Sequence, residues 1–131
     1  MQNIPFLISL IVISIILFQS IIIAPAVNKL LSFKEASVLL RNLWPKFFLL
    51  ISILSLISII NIIFLDLNQN KTLIFTIASF TLMLFCFLIT PKINKAKDSG
   101  NKKLWNILHL STVIITIVTL LLNFIVVVNY N

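Results

Sequence analysis

The side chains with the most versatile chemistry in this sequence are Met83, Cys86 and His109. Met83 and Cys86 are three residues apart, so a helix would carry both sulfurs on one face. With His109 opposite, they form a donor set suited to copper or to haem iron. A lone imidazole with no carboxylate beside it also has a plainer reading, as a neutral ring hydrogen-bonded to Gln19, Asn106 or a backbone carbonyl. Gln19, Ser52, Cys86, His109 and Thr112 are therefore expected to form a polar pocket, with any metal confined to Met83, Cys86 and His109. Desolvated polar groups of this kind must face inward and satisfy one another. Hydrolytic and phosphate chemistry is excluded, because three acids, one histidine and one glycine build neither a nucleophile–base pair nor a phosphate loop. A single cysteine allows no intrachain disulfide.

Those residues must be positioned by elements that hydrocarbon permits. Of 131 residues 60% are apolar and 10% charged. A soluble domain with this composition would expose too much apolar surface, and disorder is incompatible with so greasy a chain. Uncharged stretches predict four membrane spans, at about 4–27, 46–65, 72–91 and 104–128, each long enough to cross about 30 Å of hydrocarbon. Polar and apolar residues do not alternate with period two, so the spans are helices and the fold is an all-α, four-helix integral membrane bundle. The first span has no cation before its apolar core, and the core is too long for a signal peptide, so it reads as a retained helix. Counted inward from the span ends, Gln19, Ser52, Cys86 and His109 fall at a common depth, about 6–8 Å below the cytoplasmic boundary.

Nine of the ten cations lie in two connections: Lys29, Lys34, Arg41 and Lys46 in one, Lys92, Lys95, Lys97, Lys102 and Lys103 in the other. In a four-span protein these connections share a side, and the positive-inside rule makes that side cytoplasmic with both termini periplasmic. The net charge of +7 then serves topology and attraction to anionic lipids, rather than nucleic acid. Ser32-Phe33-Lys34-Glu35 fits a capping box that starts a short amphipathic cytoplasmic helix over 33–43, with Trp44 at the headgroups and Pro45 opening the next span. Pro91 is expected to end or kink the third span, Ser99-Gly100 to turn, and Asn101 to cap the fourth.

Two heptad-spaced polar stripes run through the last two spans: Thr72, Thr76, Ser79, Met83, Cys86 and Thr90, then His109, Thr112, Thr116, Thr119 and Asn123. Small and hydroxylated residues at this spacing predict close helix packing, with Thr76, Ser79, Thr116, Thr119 and Asn123 as the packing stripe.

Several short elements carry a resemblance. Ala24-Pro25-Ala26-Val27, Glu35-Ala36, Leu39-Leu40-Arg41, Thr90-Pro91-Lys92-Ile93-Asn94, Asp98-Ser99-Gly100 and Leu108-His109-Leu110-Ser111 together resemble the transmembrane-protein-205-like domain of unknown function. That resemblance implies a small bacterial four-helix membrane protein with no established reaction. The asparagine that usually follows the family's serine is Ile115 or Thr116 here. The pattern is also distantly similar to copper-resistance and haem-linked protoporphyrinogen oxidase membrane proteins, whose first-span histidine this chain lacks. The expectation is an inner-membrane accessory or assembly component, a homo-oligomer or part of a larger complex, needing no cofactor. The alternative is a haem-, copper- or small-molecule-binding protein using the Cys/His/Gln pocket.

Overall fold

The computed structural model describes residues 3–65, 67 and 69–129. The protein is all-α, and its four long helical rods, Ile4–Leu30, Phe33–Phe64, Asn70–Asp98 and Lys102–Val128, are each long and apolar enough to cross a membrane. This is a multi-pass membrane bundle.

The first rod is not uniform. Helix α1 (Ile4–Phe18) begins with Pro5 in its first turn, where the missing N–H costs nothing. A π-helical turn, Gln19–Ile23, then joins it to α2 (Ala24–Leu30). The Ala24 amide reaches back five residues to the Gln19 carbonyl. Pro25 follows at once and has no amide for Ile21, so a turn wider by one residue relieves the clash its ring would make there.

Helix α3 (Phe33–Phe64) starts at the expected capping box. The Ser32 hydroxyl accepts from the Glu35 amide at 3.4 Å, and the Ser32 amide donates to Glu35 Oε2 at 3.0 Å. The segment 33–43 is helical, but it is not a separate interfacial element. It runs through Pro45 into the apolar span as one helix of 32 residues. Likewise α4 (Asn70–Asp98) passes through Pro91 for two further turns. A proline deletes one rung of the helical ladder and does not oblige the chain to stop, because neighbouring helices hold the segment in place.

The turn after α4 closes as a Schellman motif: Gly100 N–H bonds the Lys97 carbonyl at 3.2 Å and Asn101 N–H the Ala96 carbonyl at 3.0 Å. Gly100 adopts φ 71°, a left-handed conformation in which a side chain would be strained. Asn101 then caps α5 (Lys102–Val128), its Oδ1 accepting from the Leu104 amide at 3.1 Å.

The rods form a closed ring in which α1 packs on α3, α3 on α4, α4 on α5 and α5 back on α1. Residues of both heptad stripes point inward: Thr72, Thr76, Ser79, Met83, Cys86 and Thr90 are buried on α4, as are Thr112, Thr116, Thr119 and Asn123 on α5. Most of these hydroxyls bond the carbonyl one turn back, as Thr76 does to Thr72 at 2.7 Å and Thr116 to Thr112 at 2.8 Å. Such donors cost little in hydrocarbon and let backbones approach closely. Asn123 crosses between helices, donating to Ser79 Oγ at 3.2 Å. Helix α3 contributes a third small-residue stripe, Ser52, Ser55 and Ser58, also buried.

Candidate functional site

The two basic connections meet at one end of the bundle. Arg41 on α3 forms a two-pronged ion pair with Asp98 at the end of α4, one prong at 3.2 Å. Lys97 Nζ donates to Ser37 Oγ at 2.9 Å. These contacts lie in the helix ends that project past the apolar stretches 46–65 and 72–91. The Arg41 guanidinium holds the Asp98 carboxyl below the ordinary carboxylate range, and the Ser32 hydroxyl and amide do the same for Glu35. Lys97 also lies over two aromatic faces, 5.0 Å from the Phe33 ring centre and 5.6 Å from that of Trp105. Trp105 stacks on His109 with centroids 5.2 Å apart and planes 3° from parallel.

Beneath this layer lies a cleft of about 340 Å³ framed by all four rods. That is within the range of about 300–1,000 Å³ typical of small-molecule sites. Ile16, Leu17 and Ser20 line it from the first rod, Leu40, Trp44 and Phe48 from α3, Thr90, Ile93 and Asn94 from α4, and His109, Thr112 and Val113 among others from α5. Its wall is mainly apolar, with Ser20, Thr90, Thr112 and Thr116 along it, and its charged groups are at the mouth, where Ser37, Arg41, Lys97 and Trp105 also border a second, outer cleft. Trp44 is fixed by stacking on Phe48, centroids 5.7 Å apart, and by an edge contact to Phe47 at 5.6 Å.

Of the five residues assigned to one pocket, two line the cleft and three do not. His109 and Thr112 line the cleft. Cys86 and Met83 are fully buried in an apolar cluster with Ile8, Val12, Ile16, Phe47, Phe48 and Ile51. Ser52 is buried with its hydroxyl bonded to the Phe48 carbonyl at 2.9 Å. Gln19 is buried in the π turn, its Nε2 without a hydrogen-bond partner among the described residues.

Helix register separates Cys86 from His109. The contacts Ser79–Asn123 and Lys97–Trp105 hold one antiparallel register between α4 and α5. Cys86 therefore stands level with Thr116, and His109 level with Ile93. Seven residues separate those levels on α5, about 10 Å at 1.5 Å per residue. The expected common depth fails because it places the inner end of the third span at Thr90, whereas α4 continues to Asp98. Among the described residues, no three His, Cys, Asp or Glu side chains stand close enough to share a metal ion.

Of the residues that close the mouth, Arg41 and Lys97 read in sequence as topology charges, Arg41 and Asp98 as parts of the family resemblance, and Ser37 carried no signal. Their pairing spans 57 and 60 positions of sequence, and no local spacing encodes that. No curated protein and no solved structure matches the chain. Residues 7–102 match the model of a domain of unknown function, DUF4149, and the chain belongs to that family.

Proposed function

We propose that this protein binds a small amphiphilic molecule at the cytoplasmic face of the bacterial inner membrane, with both termini periplasmic. The observation that carries the reading is the cleft itself: apolar walls from all four rods under a mouth that bears Lys97, Arg41, His109 and Trp105. An apolar cavity with a few convergent polar groups is the usual form of a ligand site. Within its family, the Thr90–Asn94 and Leu108–Ser111 elements support a place among the transmembrane-protein-205-like members. A role as an assembly subunit draws less support, because the seams that suggested it are used up inside the chain. A haem or copper site on Met83, Cys86 and His109 draws less again, given the register.

Both tryptophans of the chain, Trp44 and Trp105, line the cleft, so intrinsic fluorescence reports on its occupancy. The test uses protein in nanodiscs of zwitterionic lipid, titrated with dodecyl amphiphiles. The expected result is a saturable change in emission that the cavity-filling Val113→Phe variant abolishes. A response that rises linearly and equally in both proteins would overturn the reading.

A further inference from the structure

We infer that the occupant of the cleft is an acidic phospholipid, with its phosphate at Lys97 and an acyl chain lying between α1 and α5. This rests on the amphiphile-binding reading and names the ligand class. Charge supplies the first argument. The Arg41 cation at the mouth is committed to Asp98, whereas Lys97 is held by a hydroxyl and two aromatic faces, none of which carries a formal charge to neutralise it. Lys97 feels the neighbouring Asp98 carboxylate, but that group is bonded to Arg41, and among the described residues Lys97 forms no ion pair of its own, so an anionic head is the complement of the charge it presents beside the apolar cavity.

The side of the cleft supplies the second. Leu17 on α1 and Ile117 on α5 both line the cleft, yet they are 40% and 52% exposed. The cleft lining on these two rods therefore includes accessible apolar surface at the depth of the hydrocarbon, and the inferred chain enters there. A soluble phosphate compound has no use for such a surface, but a lipid can lay its chain along it while its head stays at the interface. Trp44 and Trp105, at the same end, are side chains suited to that headgroup level.

The test places the protein in phosphatidylcholine vesicles containing a small fraction of phosphatidylglycerol with brominated acyl chains, which quench tryptophan on contact. Brominated phosphatidylcholine at the same fraction is the reference. The expected result is excess quenching by the acidic lipid, with its preference lowered about ten-fold in Lys97→Gln, as for loss of a charge-assisted bond. Lys97→Arg should keep the preference, and so should Lys92→Gln, which removes an exposed charge from the same end of the bundle but outside both clefts. Equal loss in Lys97→Gln and Lys92→Gln would show diffuse surface attraction and overturn the inference. Suppression of the excess by millimolar inorganic phosphate would assign the site to a soluble anion and overturn it as well. If Lys97→Gln keeps saturable quenching but the headgroups become equivalent, the lipid assignment stands. If the wild type saturates without headgroup preference, the lipid assignment falls and amphiphile binding survives. If neither lipid quenches beyond its mole fraction, both fall.

Discussion

At the scale of single residues, the informative chemistry of this protein sits in charges rather than in the sulfur and imidazole groups that draw attention first. Arg41 and Asp98 tie the start of α3 to the end of α4 and so close the mouth of the cleft. Because Arg41 holds the Asp98 carboxyl below its ordinary value, the pairing contributes stability above the unfolded-state pKa, near 3.8, and loses it as pH falls through the lower folded-state value. The expected outcome is a modest loss of thermal stability in Asp98→Asn at pH 7, and a gap from wild type that closes as pH drops below about 4. Melting curves of the two proteins across that range check this, and a gap that widens on acidification would contradict the assignment. Cys86 and His109 were recognisable as special by type alone. What could not be read was that α4 outlasts Pro91, which moves their levels about 10 Å apart along the bundle.

At the scale of elements, the rods were legible and their interruptions were not. Apolar length fixes the existence of a span, while local chemistry decides its detail. The Ser32–Glu35 box and the Asn101 cap are hydrogen bonds across three residues, and they were visible as spacings. Proline is ambiguous in the same window: Pro45 and Pro91 read as boundaries, yet each lies inside a helix whose neighbours sustain it. Pro25, Pro45 and Pro91 all fall near the cleft end of their rods, where missing ladder bonds leave the backbone easier to bend. The π turn ahead of Pro25 carries the buried Gln19, whose Nε2 lacks a partner among the described residues. An unpaired buried donor costs on the order of 1–3 kcal/mol. Gln19→Leu is therefore expected to stabilise the protein by about 1 kcal/mol once the change in packing is included. Unfolding in mixed micelles with rising dodecyl sulfate measures this, and a loss of stability would show that the amide has a partner in the folded protein.

At the scale of the whole molecule, the polar stripes acquire their meaning from closure of the ring. Taken one helix at a time, the α4 and α5 stripes could equally have faced a second subunit, and the α3 serines were too sparse to announce a seam. Within one chain all three turn inward, which leaves leucine, isoleucine, valine and phenylalanine toward lipid. The same closure brings both basic connections to one end through Arg41–Asp98 and Lys97–Ser37, independently of any rule about charge and sidedness. Two separate claims follow, and one labelling experiment distinguishes them. Lys34→Cys and Lys95→Cys place exposed thiols at that end, Phe64→Cys places one at the other, and the native Cys86 is fully buried and should stay silent to an impermeant maleimide. With the basic end in the cytoplasm, the first two should label only in inverted vesicles and Phe64→Cys only in right-side-out ones. If all three reverse together, the bundle stands and the orientation is inverted, which moves the cleft to the outer leaflet. Labelling of Lys34→Cys and Lys95→Cys from opposite faces would break the ring itself, because the helix ends that carry them are joined through the Arg41–Asp98 ion pair and cannot lie across a bilayer about 30 Å thick.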